Sequence, residues 1–429
     1  MRFNSLLEWL RWQESFHPKT IDLGLDRARK TFKGVIQNRP LPFTITVGGT
    51  NGKGSCVALL ETMLGIEGYR VGSYTSPHIV RYNERIKVNG KLVDDDAICR
   101  SFDRIDEARG DVSLSYFEFS TLAALDIFSR CRLDVQILEV GLGGRLDAVN
   151  IIDPDSVIIS SIGIDHIDWL GQDREMIGFE KAGVFRPGVP AVIGDPNPPN
   201  SLLKSAMEKK ALVHLLGRDF SFQRDESSWS WYGQTRSRKK LPIPALHGEH
   251  QIFNASAVLQ TLEVIRSERP VSDEAIRQGL SKVNLPGRFQ WVPGDPPILL
   301  DVAHNPQAAV ALANSLEEFA ADRPVHAVFS VMGDKDIKGV VSPMKSIIDH
   351  WYVAPLPTPR GADPTRIVQA IVDCKIEQSK ATIYNQFREA LNAAKTACRK
   401  DGLVVVFGSF FLISEYFAIN DSGGEWIDS

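Results

Sequence analysis

Apolar and polar positions alternate along the chain in two rhythms, one of short buried strands and one of longer helices. Residues 1–16 set apolar side chains among Glu8, Arg11 and Glu14, the pattern of an amphipathic helix and not of a signal peptide. Phe43–Val47 reads as the first clear strand. A glycine-rich turn follows, then Cys56–Leu64 repeats apolar residues at helical spacing until Gly68 closes the segment. Val71–Tyr74 reads as the next strand, so this stretch is a βαβ unit, which favours a parallel sheet. Val135–Val140 and Val157–Ile162 are short, β-branched and nearly free of charge, as strands covered on both faces are. A helix is expected around Phe119–Phe128.

The rhythm changes twice. In residues 218–243, Phe220, Phe222, Trp229 and Trp231 alternate with polar residues, which predicts a small antiparallel piece. The nearby Arg236, Arg238, Lys239 and Lys240 read as a solvated turn face. Pro293-Gly294-Asp295-Pro296-Pro297 has the composition of a linker, and beyond it the βα rhythm restarts. Strands are expected at Ile298–Val302, His326–Val331 and Leu403–Phe407, with a helix at Gln307–Phe319. The expected organisation is an α/β protein with two domains. A P-loop, parallel-sheet N-terminal domain carrying the small antiparallel β element spans 1–292, and a smaller Rossmann-like α/β domain spans 298–429.

Composition narrows the class. A chain of 429 residues buries enough surface to need neither disulfides nor structural metals. Its net charge of −4 argues against a general nucleic-acid binder. Apolar runs such as Leu403–Phe407 fall far short of the ~20 residues of a membrane span. Five cysteines, at 56, 99, 131, 374 and 398, show no CxxC spacing, as expected of reduced thiols in a cytoplasmic protein.

Candidate chemistry centres on Gly48-Gly49-Thr50-Asn51-Gly52-Lys53-Gly54-Ser55, between a strand and a helix. Small residues let backbone N–H groups turn toward one point, the helix N-terminus adds partial positive charge, and Lys53 reaches the outer phosphates. The strict G-x-x-x-x-G-K-[ST] pattern is not met, because Val47 holds the first glycine position and Gly54 separates Lys53 from Ser55. Cys56, at the start of the following helix, reads as packing and not as a nucleophile. Gly141-Leu142-Gly143-Gly144 fails as a dinucleotide fingerprint, since Leu146 stands where the last glycine is needed. Glu139 ends an apolar strand, where open α/β sheets bind ligands; alone it reads as a solvated rim residue. His166 follows Val157–Ile162 and would meet Glu139 if their two strands are neighbours. Lys181 alone reads as surface charge, and Asn254 alone as a helix cap.

Several motifs in chain order resemble those of the Mur ligase superfamily, and most closely the bacterial bifunctional dihydrofolate synthase/folylpolyglutamate synthases. They are Lys19–Leu25, the phosphate loop, Ser76-Pro77-His78, Tyr116–Phe119, Glu139–Asp147, Asp165-His166, Glu180–Gly183, Pro286–Phe289 and Asp301–Pro306. The resemblance covers most of the chain. After Gly408-Ser409-Phe410, where the family often has Thr-Val, this chain continues Phe411-Leu412-Ile413-Ser414.

The resemblance implies ATP binding by Thr50, Asn51, Gly52, Lys53, Gly54, Ser55, Asn254, Arg288, Asp301 and His304. It implies Mg²⁺, two ions in all, at Ser76, Glu139, His166 and a carbamylated Lys181. Lys53, Lys181, His166 and Arg288 carry the catalytic roles. The pterin falls to Thr20, Ile21, Asp22, Leu23, Ser115, Tyr116, Phe117, Glu118, Leu146, Asp147 and Ala148. The implied enzyme is a cytoplasmic monomer with no nucleic-acid or membrane partner. It uses ATP to join L-glutamate to dihydropteroate and to reduced folates through an acyl phosphate. Two other readings are a related ligase of cell-wall precursors and a P-loop module that binds ATP without ligation.

Overall fold

The computed structural model describes residues 1–19, 21–36, 39–320 and 323–420. Seventeen strands are present among them. In chain order they are β1 (Phe43–Gly48), β2 (Val71–Tyr74), β3 (Ile86–Val88), β4 (Lys91–Leu92), β5 (Val135–Glu139), β6 (Ser156–Ile159), β7 (Pro190–Ile193), β8 (Leu212–Leu215), β9 (Phe220–Arg224), β10 (Ser228–Gly233), β11 (Ser237–Pro242), β12 (Gln290–Val292), β13 (Ile298–Asp301), β14 (Val325–Phe329), β15 (His350–Val353), β16 (Ala381–Ile383) and β17 (Leu403–Phe407). Two compact units contain them. Unit 1 comprises 1–163, 170–245 and 251–284; unit 2 comprises 164–169, 246–250 and 285 onward. Unit 2 therefore takes in two short segments that lie early in the sequence.

The sheet of unit 1 runs β4-β3-β2-β5-β1-β6-β7-β8. From β2 to β8 every pairing is parallel; β3 and β4 add an antiparallel edge. All residues of β1, β5 and β6 are buried, as strands covered by helices on both faces require. The helix Lys53–Glu67 forms the crossover from β1, and Gly68, at φ +104°, ends it by donating its N–H to Gly65 and Leu64 carbonyls. The amphipathic N-terminal helix is Leu6–Phe16, opened by a Ser5/Glu8 capping box and burying Leu6, Trp9 and Gln13 on one face. The helix Tyr116–Arg130 opens with a second capping box, Ser115 with Glu118.

The antiparallel piece of unit 1 is the sheet β11-β10-β9, whose Trp229 and Trp231 are fully buried. Here the expected solvated basic turn is corrected. Residues 237–242 are strand β11, and Arg238 is buried, paired with Glu263 at 3.2 Å and Asp273 at 2.9 Å. The two carboxylates make a buried guanidinium affordable.

Unit 2 has the sheet β12-β13-β17-β14-β15-β16, parallel except for β12. Leu299, Phe329, Trp351, Val405 and Phe407 lie in its core. Because β12 and β13 pair antiparallel, the Pro293–Pro297 cluster turns a hairpin inside this unit, where its composition had pointed to a linker.

Candidate active site

In unit 1 the phosphate loop is held from below by the residues that follow β6. Thr50 N–H donates to the Ser161 carbonyl at 2.7 Å, and Asn51 N–H to Ser161 Oγ at 3.2 Å. Ser160 Oγ and Ser161 Oγ donate to the Asn51 carbonyl at 2.6 and 3.1 Å. Thr50 Oγ1 donates to Gly163 O at 3.1 Å and accepts its N–H at 3.0 Å, closing the anchorage. Gly49 sits at φ +141°, and a Cβ there would lie 2.0 Å from Ser160 Oγ. Gly52, at φ +85°, precedes the helix with no side-chain cap, so the first-turn N–H groups receive no capping side chain from it.

Two lysines converge on this loop. Lys53 Nζ donates to the carbonyls of Gly49 at 3.2 Å and Thr50 at 3.1 Å. Lys181 Nζ donates to the same Gly49 carbonyl at 2.8 Å and is buried, so it is no surface charge. Asn254 lies inside the helix Glu249–Val264 and not at its cap. Its Nδ2 donates to Gln251 Oε1 at 3.0 Å, and its amide packs so closely that a Cβ on Gly52 would meet Oδ1 at 2.3 Å.

The strand-end carboxylate is also buried. Glu139 Oε2 accepts the Ser76 N–H at 3.2 Å, across the neighbouring ends of β5 and β2. The condition set for Glu139 and His166 is not met, because β1 lies between β5 and β6. Burial, with the Glu139 charge, pushes the Cys56 thiol up to about 12, which disqualifies it as a nucleophile.

The segments assigned to the pterin meet within unit 1. Gly24 N–H donates to Leu146 O at 3.2 Å, and Arg27 bridges Asp22 and Glu118. Tyr116 and Phe117 are half-buried on the first turn of their helix; Phe117 packs against Gly141, and the Arg85 guanidinium lies 5.4 Å from the Tyr116 ring centre. Ser115, Asp147 and Ala148 are buried. Burial raises the Asp147 carboxyl to about 6, against the opposing N–H groups of Leu142 and Val149 and the Lys181 charge. Thr20 lies outside the described residues.

In unit 2, Asp301 accepts N–H groups from Phe289 at 2.8 Å and Ala303 at 2.7 Å, and burial holds its pKa above the usual range despite the Arg288 charge. Arg288 lies 5.1 Å from the Phe410 ring centre. Asp165 is the hub: it accepts from Asn305 at 3.0 Å and Lys335 at 2.5 Å and lies 3.4 Å from His304 Nε2. Burial works against its ionisation, but the His304 hydrogen bond and the charges of His304, His166 and Lys335 hold it well below the usual carboxylate range. His166 itself sits at φ +53°, its N–H donating to Asp165 Oδ1 at 2.8 Å. Ser160, Ser161, Arg85 and Lys335 went unnoticed in the sequence; the only local signal for the serines is a polar pair closing an apolar strand.

Residues 287–410 match the Mur ligase, glutamate ligase domain. Over 423 residues the chain is 42% identical to the dihydrofolate synthase/folylpolyglutamate synthase of Escherichia coli (strain K12), covering 98% of this chain and 97% of that protein. The chain belongs to the dihydrofolate synthase/folylpolyglutamate synthase family. Its fold is similar to that of E. coli FolC in complex with DHPP and ADP, with a TM-score of 0.92 and 41% identity over 98% of each chain. It is also similar to a bifunctional folylpolyglutamate synthase/dihydrofolate synthase with Mn, AMPPNP and L-glutamate bound. There the TM-score is 0.90, with 42% identity over 97% of this chain and 98% of that one. These family relations favour the folate-ligase reading and neither alternative to it.

The donor set fits a hard divalent cation. Glu139 is a buried carboxylate at the carboxyl end of a parallel strand, and Ser76 stands beside it. Among the described residues no group of three or more His, Cys, Asp or Glu side chains could hold a metal. Mg²⁺ needs no such group, since one or two carboxylates suffice when phosphate oxygens and water complete the shell. A lysine ammonium has no lone pair and cannot join that shell; a carbamate can. No helix among the described residues is long and apolar enough to cross a membrane.

Proposed function

We propose that this chain joins L-glutamate to dihydropteroate, forming dihydrofolate, and to reduced folates, forming folylpolyglutamates, with ATP as co-substrate. The observation that carries the reading is the convergence of Lys53 and buried Lys181 on the Gly49 carbonyl, in a loop braced by Ser160 and Ser161. It is supported by full-length identity to relatives named for this activity.

A carboxylate oxygen of the pterin acid attacks the γ-phosphorus of ATP, and the bond to ADP breaks. The glutamate amine then attacks the acyl carbon, loses a proton, and phosphate departs with that oxygen. Phosphoryl transfer asks the protein for positioning and charge neutralisation. The loop N–H groups and Lys53 receive the phosphates; Thr50, Asn51, Gly52, Gly54, Ser55 and Asn254 complete unit 1's share. In unit 2, Arg288, Asp301 and His304 take the nucleotide roles implied by the resemblance. In unit 1, Ser76, Glu139 and Lys181 would hold Mg²⁺, and in unit 2 His166 takes the metal role implied by the resemblance; two ions in all would supply charge neutralisation when bound. Lys181 enters as a carbamate: its neutral amine attacks CO₂, an N–C bond forms and one proton leaves. Ile21, Asp22, Leu23, Ser115 to Glu118 and Leu146 to Ala148 hold the pterin. The enzyme acts as a monomer in the cytoplasm.

Dihydropteroate labelled with ¹⁸O in its carboxylate tests the chemistry. Phosphate released on ligation carries one ¹⁸O if an acyl phosphate forms. Unlabelled phosphate alongside labelled amide product contradicts the mechanism.

A further inference from the structure

Residues 17–19 and 21–24 form no helix or strand. Such a segment needs side chains to define its path. It carries Ile21, Asp22 and Leu23, so its path shapes the proposed pterin site. Several bonds hold it. His17 Nδ1 meets Ser113 Oγ at 2.8 Å, and His17 Nε2 meets Asp22 Oδ2 at 3.1 Å. Gly24 N–H reaches Leu146 O. Lys19 reaches Asp22 Oδ1 at 3.4 Å, but its side chain is 68% exposed.

Arg27 does what none of the others does. One guanidinium nitrogen donates to the Asp22 carbonyl at 2.7 Å, and another lies 2.8 Å from Asp22 Oδ2. Its Nε donates to Glu118 at 3.2 and 3.4 Å. Glu118 is buried and also accepts the Ser115 N–H at 2.8 Å, so it is locked in the capping box. The fork thus ties the 21–24 segment, by main chain and side chain together, to the helix start that carries Tyr116 and Phe117. A guanidinium suits this because its donors point in fixed, divergent directions.

We propose that Arg27 is the positioning residue for the acid substrate, setting its affinity without touching the reacting atoms. This rests on the folate reading above. Arg27 lies outside the phosphate loop, so its loss should spare the nucleotide steps. Without it, Asp22 and Glu118 lose the cation that joins them and the segment loses its tie to the helix.

The test uses the full chain, with initial rates of dihydropteroate-dependent ligation and fluorescence titration of dihydropteroate binding. Arg27→Ala is expected to raise the KM and Kd for dihydropteroate at least about tenfold, with kcat and the KM for ATP within about threefold of wild type. Arg27→Lys, which keeps the charge but loses the fork, is expected to fall between the two and covers the case in which the alanine variant does not fold. An unchanged dihydropteroate KM in Arg27→Lys and in folded Arg27→Ala overturns the proposal and leaves the folate reading intact. So does an equal loss in kcat and ATP affinity, the sign of general damage. Wild-type protein that neither binds nor ligates dihydropteroate overturns the folate reading, and this proposal with it.

Discussion

Lys53, Lys181 and Asp147 are ionisable side chains held in buried or half-buried positions of unit 1. Lys53→Ala should cut kcat to below a tenth of wild type, a barrier increase above ~1.4 kcal/mol, because no other side chain of the loop supplies a cation. Retention of more than a tenth of kcat contradicts its role at the phosphates. Lys181→Ala should lose activity largely in kcat, and added formate or acetate should restore part of it by replacing the carbamate oxygens. Unchanged turnover, or a bare lysine in an active crystal with Mg²⁺ and nucleotide, contradicts the carbamate. Asp147 titrates near 6, so its accepting carboxylate is lost as pH falls through that value. The KM for dihydropteroate should therefore rise on the acid side of about pH 6, a limb that Asp147→Asn removes; a carbamate in place of the Lys181 cation would move the limb upward. A flat KM from pH 5 to 8 in the wild type rules this out. Lys53 was legible in the sequence because the glycines that position it are its neighbours. The burial of Lys181 was not, since the carbonyl it meets lies 132 positions away.

The loop itself depends on the strand beside it. With Ser160 Oγ 2.0 Å and the Ser160 and Ser161 backbone nitrogens 3.1 Å from where a Cβ of residue 49 would lie, Gly49→Ala is expected to turn Ser160 out of its bonds to the loop and to displace the loop or the residues following β6. Loss of most affinity for a non-hydrolysable ATP analogue is expected in equilibrium titration, and wild-type affinity would show that the loop tolerates the methyl group. Strands β1, β2, β5 and β6 of one sheet and β13, β14 and β17 of another were readable from apolar runs, because a strand buried on both faces has little room for charge; β3, β4, β7, β8, β12, β15 and β16 were not read. Val71–Tyr74 and Leu403–Phe407 match the observed β2 and β17 end to end. Sheet order was not readable: placing β1 between β5 and β6 is decided by crossover packing, and it removes the simple route by which Glu139 and His166 were expected to meet. The basic run at 236–240 misled for a related reason, since Glu263 and Asp273, which bury Arg238, arrive from distant helices.

At the level of the whole chain, the two units divide the chemistry. Unit 1 holds the phosphate loop, the strand-end carboxylate and the segments proposed for the pterin; unit 2 holds Asp301, His304 and the Asp165 cluster. The sequence motifs named most of these residues because each motif is local. They did not reveal that 164–169 groups with unit 2, since Asp165 is tied to Asn305 and Lys335 through contacts 140 and 170 positions away. The two substrates proposed share one carboxylate-activating site, so purified protein should extend a reduced folate as well as dihydropteroate, and the two acids should compete. The central claim is tested most directly by the mass of the product formed from dihydropteroate, L-glutamate and Mg²⁺-ATP. The account predicts dihydrofolate, with one ADP and one phosphate released per amide formed and none when either acid or amine is withheld. Phosphate release without a glutamylated pterin, or no reaction at millimolar dihydropteroate, would contradict it.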